Sequence, residues 1–332
     1  MRRSADRTWR PVVVSALGSG ERGAAPTPAA VLVLAGSLRP SPLASQCGRS
    51  VLDLPLSTEH TVLSKWVQWA AELSSGAASP EMRVIHDRQT PAPVAPIARS
   101  GINVVMEQES KEYRGPAGAA KDACERYAPS STIILVEGAR CLTCSLTGLV
   151  RAHAESGAVV TVGCNADRSP AGVYAIRRSA LDLVPRGGFM DLKEQWLSRV
   201  VASGDEVRVC EFAGGRGMAL RTLEQYLLAV SELNDWADAS VLNDDGGAAC
   251  DRMRRDHVVL GAGAVIDPEA VVLDSVVMPG AVVKAGAVVA RSLVCERAVV
   301  GEGEQVVSEV IAGPVSSSVI TVRPGAGTRA QR

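Results

Sequence analysis

The sequence predicts a mixed α/β domain followed by a short parallel β-helix, and three observations carry that prediction. Strand-length apolar runs alternate with amphipathic helical patterns from Ala30 to Leu233. A polar stretch rich in Gly and Asp, residues 236–256, follows them. From Leu260 to Ile311 the aliphatic residues then recur every seventeen positions.

That repeat has three registers. Leu260, Val277, Val294 and Ile311 form one series, Ile266, Val283 and Val300 a second, and Val272, Val289 and Val306 a third. The steps between series run six, six and five, then begin again. A fixed period marks a solenoid. Three short strands per coil, each turning one aliphatic side chain inward, describe a triangular prism. One coil cannot bury its inward residue, whereas stacked coils bury a continuous column. Gly261, Gly263, Gly280, Gly286, Gly301 and Gly303 fall at the expected corners, where a positive φ costs glycine least. A Val-rich antiparallel sandwich is the plainer reading, but alternation alone does not hold three registers in step.

The elements of the first domain read in order. Ala30–Ala35 is an all-apolar run ending at Gly36, a buried first strand. Thr61–Leu73 is a helix, Ile102–Met106 a strand and Ala117–Tyr127 a helix. Ile133–Val136 is another buried strand. Leu146–Ser156 is a helix closed by Gly157, and the strands Val159–Val162 and Val173–Ile176 follow. Asp191 caps a helix running to Ser203, with Glu194 three residues on and Gly204 beyond its end. Val207–Phe212 is a strand. Thr222 and Gln225 form a capping box for the last helix, whose apolar face is Leu223, Tyr226, Leu227, Val230 and Leu233. Residues 75–100, rich in Pro, Ala and Ser, read as a surface loop. Residues 1–28 and 314–332 read as disordered tails, the first of them basic. The domains are therefore 29–235 and 257–313, with 236–256 as linker.

Composition narrows the function. Aromatics make up 3% of 332 residues, so aliphatic packing dominates the core. The formal net charge of −1 gives no sign of a nucleic-acid or anionic-membrane partner. No apolar run reaches the ~18 residues of a membrane span, and Val12–Leu17 is short for a signal-peptide core. A cytoplasmic protein is expected. Eight cysteines are scattered singly except for Cys141 and Cys144, which lack a second pair at metal-ligand spacing. Buried thiols are the plainer reading. His60, His86 and His153 stand away from any Ser or Cys nucleophile, and surface or capping roles suit them. Arg216, among Gly214, Gly215 and Gly217, reads as part of a mobile glycine turn more readily than as a phosphate contact.

Several segments resemble, in the right order, the sugar-1-phosphate nucleotidyltransferases, or NDP-sugar pyrophosphorylases. Val31–Gly36 resembles their opening strand and nucleotide loop. Gly101–Gln108 and Gly115–Ala120 resemble the strand and the Gly-Thr-Ala-Gly-Ala turn that meet the nucleotide base. Ile133–Gly138 resembles the strand that carries a metal-binding Asp. Ala171–Tyr174 resembles the Asn-Ala-Gly-Ile-Tyr strand at the sugar, and Leu220–Tyr226 the segment opening the last helix. The resemblance spans about residues 30–311. It implies a Rossmann-like, GT-A-like mixed sheet and a left-handed parallel β-helix. It also implies a reaction in which a sugar phosphate oxygen attacks the α-phosphorus of an NTP and pyrophosphate leaves. Such chemistry rests on positioning and on charge neutralisation by Mg²⁺ and basic groups. By the resemblance, Ala35, Gly36, Ser37, Gln108, Gly115, Gly118 and Gly138 fall at nucleotide-binding positions, and Ala171 and Gly172 at the sugar.

The chain departs from the family where the chemistry lies. The family's first loop is Gly-Gly-x-Gly-x-Arg-Leu; here Ser37-Leu-Arg39-Pro40-Ser-Pro42 is shorter, and its prolines remove N–H donors. Arg39 is the candidate for the catalytic Arg. Arg49 falls near the family's Pro-Lys-Pro lysine, although a guanidinium does not reproduce an ammonium's geometry. The two metal-binding aspartates align with Ala139 and Ala219, and Mg²⁺ wants carboxylate oxygens. Glu137 is near the first position, but strand alternation turns it to the other face. Asp167 is a remote substitute. The segment between Val162 and Ala171 lacks the family's strands and Glu-Lys-Pro motif at the sugar.

These losses point to a pseudoenzyme, a regulatory or scaffold subunit that keeps the architecture and takes a nucleotide or nucleotide sugar. No metal is expected on that reading. The alternative is an active sugar-1-phosphate nucleotidyltransferase, of mannose- or glucose-1-phosphate type, with a rearranged site using Arg39, Arg49 and Mg²⁺. A third reading, an acyltransferase on the solenoid, would need a general base, and His257 lies just before the coils. A homo-oligomer, or a complex with an active paralogue, is expected through the β-helix.

Overall fold

The computed structural model describes residues 13–15 (backbone only), 26–36, 41–88, 91–94, 101–109, 114–234 and 257–314. The α/β domain contains β1 (Val13–Ser15), β2 (Ala30–Leu34), α1 (Pro42–Cys47), α2 (Val62–Glu72), β3 (Glu81–His86), β4 (Val104–Gln108), α3 (Gly115–Cys124), β5 (Thr132–Glu137), β6 (Arg140–Leu142), α4 (Thr147–Ser156), β7 (Val160–Cys164), β8 (Pro170–Arg177), a π-turn (Leu192–Trp196) running into α5 (Leu197–Ala202), β9 (Val207–Glu211), β10 (Gly217–Ala219) and α6 (Leu223–Leu233).

One sheet of order β1-β9-β7-β8-β5-β2-β3-β4 forms the frame. All neighbours are parallel except β8, which runs antiparallel to both β5 and β7. Strand alternation sorts the core onto two faces. Val31, Val33, Ile134 and Val136 join one cluster with Trp66 and Trp69 of α2, Leu149 of α4 and Tyr226 of α6. Leu32, Leu34, Ile133 and Leu135 join the other, with Ala119 and Ala123 of α3, Trp196 and Val200.

Local signals explain most of the helix starts. Thr61 accepts from Ser64 N while Ser64 Oγ accepts from Thr61 N, a reciprocal cap for α2. Asp191 accepts from Lys193 N and Glu194 N. Thr222 caps α6 by accepting from Gln225 N, but the Gln225 side chain accepts from Arg221 N instead of completing the box.

Four expectations are corrected. Residues 75–100 are not only a loop: β3 lies between β2 and β4, with Met82, Val84 and Ile85 buried. The first tail contributes β1, which pairs in parallel with β9; the rest of residues 1–25 lies outside the described residues. The strand expected at Ile102–Met106 begins at Val104. His153 is buried, its Nδ1 3.0 Å from Thr161 Oγ1. The linker expectation for 236–256 and the tail beyond Pro314 also lie outside the described residues.

The C-terminal region is built as the repeat requires. β11 (Val258–Leu260), β14 (Ser275–Val277), β17 (Leu293–Val294) and β20 (Val310–Ile311) form one parallel sheet. β12 (Val265–Ile266), β15 (Val282–Val283) and β18 (Val299–Val300) form a second, and β13 (Val271–Leu273), β16 (Val288–Ala290) and β19 (Gln305–Val307) a third. Every pairing joins residues seventeen apart, such as Val272 with Val289 and Val283 with Val300. The strands thus resemble a β-helix. Val272, Val277, Val283, Val289, Val294, Val300 and Val306 fill its interior, while Leu260 in the first coil is 37% exposed.

A buried serine ladder runs inside one edge. Ser275 Oγ accepts from Ser292 N, and Ser292 Oγ accepts from Glu309 N, at 3.1 Å each. The corners are partly as read. Gly263, Gly280 and Arg297 stack at φ 69°, 68° and 57°, so a non-glycine residue takes the strained position in the last of these coils. Gly261 serves close approach instead: a Cβ there would lie 2.3 Å from Pro279 N. The β11-β14-β17-β20 face packs on the α/β domain through Val259, Val276, Met278, Leu293 and Cys295.

Candidate functional site

The chain reverses its direction of growth across the sheet between β2 and β5, since β3 and β4 extend one way and β8 and β7 the other. In open α/β sheets ligands sit outside the carboxyl ends of the strands at such a point. Ala35 and Gly36 leave β2 there. Their N–H groups both donate to Ile85 O, at 2.8 and 3.2 Å, so neither is free to cradle a phosphate. Gly138 N donates to Leu34 O at 2.8 Å, and a Cβ on Gly138 would lie 2.8 Å from Ala35 Cα. The three positions thus come together, packed against the protein's own backbone. Ser37 and Arg39 lie outside the described residues.

Beside them, the ends of β3 and β4 and the flank of α3 line a small open cleft, with Gln108, Glu107, Glu109, Arg114 and Asp122 on its walls. Arg114 is 3% exposed. It bonds Asp122 through Nε (3.1 Å) and Nη2 (3.2 Å), and reaches the carbonyls of Pro185 (3.1 Å) and Gly188 (3.3 Å). Its stem lies on Gly118, where a Cβ would come within 2.8 Å of Arg114 Cβ. Gly115 has φ 68°, and a Cβ there would meet Met190 O at 2.6 Å and the Phe189 ring. Both glycines therefore admit the chain's own groups. Burial, with Asp87 and Asp122 nearby, pushes the Glu109 carboxyl above its ordinary range.

The two positions aligned with metal-binding aspartates are neighbours. β6 and β10 form an antiparallel pair in which Ala219 lies opposite Arg140. Leu220 N donates to Ala139 O at 2.9 Å. Two methyl groups supply no ligand to a hard cation. Among the described residues no group of three His, Cys, Asp or Glu side chains is placed to hold a metal. A Mg²⁺ site does not fit this donor set.

Glu137, near the first of these positions, is engaged elsewhere. Its carboxylate meets Lys193 Nζ at 2.8 Å and Arg140 Nε at 3.2 Å, and accepts from Tyr174 OH at 3.1 Å. Burial works against the ionised form, yet Lys193, Arg140 and Tyr174 together hold the carboxyl below the usual carboxylate range. Arg140 also donates to Pro170 O at 3.1 Å, and its stem covers Gly172. A Cβ on Gly172, whose φ is 81°, would fall 2.4 Å from Arg140 Cδ. Ala171 is buried in the core. The Arg140 stem thus covers Gly172, one of the two positions that align with the sugar. Lys193 and Arg140 were not singled out from the sequence; the Asp191 cap fixes Lys193 at the start of its helix, but its meeting with Glu137 is long-range.

Arg49 stands apart from these residues. Its Nη2 pairs with Glu296 Oε2 at 2.5 Å, across the junction of the α/β domain and the coil. Arg216 is paired with Glu232. His257 Nδ1 lies 2.9 Å from Asp274 Oδ1 at a corner of the coil. Cys141 and Cys144 are free thiols.

No protein-family model matches the chain, and no curated protein matches it. Among solved structures it is similar to HddC from Yersinia pseudotuberculosis, at 11% identity and a TM-score of 0.46, covering 61% of this chain and 98% of that one. It is also similar to a Bacillus anthracis protein assigned as a glucose-1-phosphate thymidylyltransferase, solved in complex with a sucrose. That match has 14% identity and a TM-score of 0.44, covering 62% of this chain and 95% of that one.

Proposed function

We propose that this chain is a cytoplasmic nucleotidyltransferase-like protein that takes a nucleotide or nucleotide sugar without turning it over, and acts as a regulatory or scaffold subunit. The observation that carries this reading is the adjacency of Ala139 and Ala219. Two positions far apart in sequence meet where the resembling family needs two carboxylates, and both hold alanine. The occupied N–H groups of Ala35 and Gly36 support it, because neither is free to donate to a triphosphate. On this reading the coil is left-handed, as in the resembling family. Assembly proceeds through residues 258–313, where Val265, Val299 and Val307 stand 56%, 52% and 45% exposed.

A ligand that binds only the folded state raises its stability by mass action. Thermal melting with each NTP, sugar phosphate and nucleotide sugar, with and without Mg²⁺, therefore tests the pocket. The proposal expects stabilisation by one nucleotide or nucleotide sugar that does not change when Mg²⁺ is omitted. Stabilisation that requires Mg²⁺ would overturn it. One observation favours the alternative of an active enzyme with a rearranged site: Lys193 and Arg140 place two cations against one carboxylate beside Gly172. Such an enzyme would lose turnover in Lys193→Ala and Arg140→Ala.

A further inference from the structure

Cys47 ends α1, and Cys295 follows β17 on the coil face that packs against the α/β domain. The two thiols meet across that junction, each the strongest influence on the other's ionisation. Both are buried, Cys47 at 9% and Cys295 at 2% exposure, and both belong to the same apolar cluster. The chain is pinned on either side of the pair. Arg49, two residues beyond Cys47, bonds Glu296, the residue after Cys295, at 2.5 Å. Cys295 N donates to Ile311 O at 2.9 Å, which fixes the coil strand that carries it.

Cys295 differs from the other described thiols, Cys47 included, which its contact with Cys295 and burial push up. Burial pushes Cys124, Cys141 and Cys210 up to about 12 and Cys144 to about 11, which leaves them inert near neutrality. Cys295 is shifted the other way. The Cys47 S–H, the Arg49 guanidinium and the Gly313 N–H all favour its thiolate, against the effect of burial.

We propose that Cys47 and Cys295 are an oxidisable dithiol that closes into a disulfide under peroxide, tying the coil covalently to the α/β domain. The Cys295 thiolate attacks one peroxide oxygen, the O–O bond breaks, and the departing hydroxide takes up a proton to leave as water. Cys295 is then a sulfenic acid. Cys47, giving up its proton, attacks that sulfur, forms the S–S bond and expels a second water. Two thiols are oxidised to one disulfide and one peroxide is reduced to two waters. Thiols buried in one cluster, on segments pinned together by the Arg49–Glu296 pair, need little movement to reach the ~2.05 Å of a disulfide. This inference does not depend on nucleotide binding.

The test uses the native full-length protein treated with hydrogen peroxide, quenched, unfolded, alkylated and digested without reductant. Mass mapping is expected to find one cross-linked pair, holding Cys47 and Cys295, that disappears with dithiothreitol. The remaining six of the eight cysteines are expected as alkylated thiols. In Cys47→Ser the sulfenic acid at Cys295 has no resolving thiol, so a dimedone adduct accumulates there. In Cys295→Ser, Cys47 stays alkylatable after peroxide. Sulfinic acid at Cys295 without a cross-link, cross-links among other cysteines, or an unmodified Cys295 would each overturn the proposal. If a serine variant fails to fold, the mapping of the unaltered protein decides alone.

Discussion

Acidification tests the packing of the α/β domain through a single ring. His153, on α4, is 5% exposed and reaches Thr161 Oγ1 with its Nδ1. Burial, with the Arg177 charge adding to it, lowers its pKa from 6.5 to about 4. The folded protein therefore holds the neutral ring over a range in which the unfolded chain binds a proton. The stability this contributes is fully present above about 6.5 and is lost as the pH falls toward 4. The whole shift corresponds to roughly 3 kcal/mol, of which about 2 kcal/mol is lost between about pH 7 and pH 5. His153→Gln keeps a polar partner for Thr161 and removes the titration. Urea unfolding of both proteins across that range measures the effect. The original protein should lose roughly 2 kcal/mol more than the variant by about pH 5. Parallel stability curves for the two would refute the burial argument.

Four further outcomes are expected. Val289→Ala, in the fully buried column of the coil, should cost about 2 kcal/mol in denaturant unfolding. Val299→Ala, 52% exposed on the same coil, should stay within about 0.5 kcal/mol. Gly172→Ala places a Cβ at φ 81° against the Arg140 stem and should cost roughly 1 kcal/mol or more, read as a fall in Tm. The double variant Ala139→Asp, Ala219→Asp sets two carboxylates on positions that the β6–β10 pairing brings together and should gain Mg²⁺ binding by calorimetry; a folded double variant that binds none would show that the two positions do not converge on one site.

The coil was the most legible part of the chain, because its seventeen-residue period is local and each inward residue is aliphatic. Its face toward the α/β domain was not, since Val259, Val276 and Leu293 are buried only by contact between regions. β3 was hidden by two features. It sits in a stretch rich in Pro, Ala and Ser, and its centre carries Arg83, buried through bonds to Glu107 and the Ala123 carbonyl. The antiparallel run of β8 had no local signal, because direction is settled by which neighbours a strand joins.

The candidate site divides in the same way. The places of Ala139 and Ala219 followed from short motifs, and the fold brings them side by side. Arg49 sat at a motif position as well, but Glu296 engages it from 247 residues away. The Glu137, Lys193, Arg140 and Tyr174 network joins four segments, and no spacing in the sequence announces it.

Pyrophosphate release tests the central claim most directly. The protein is mixed with each NTP and with glucose- or mannose-1-phosphate in the presence of Mg²⁺, and free pyrophosphate is followed over time. The account predicts no release above a protein-free control. Release at about 1 per second or faster, the range of ordinary enzymes, and abolished by chelation of Mg²⁺, would contradict it.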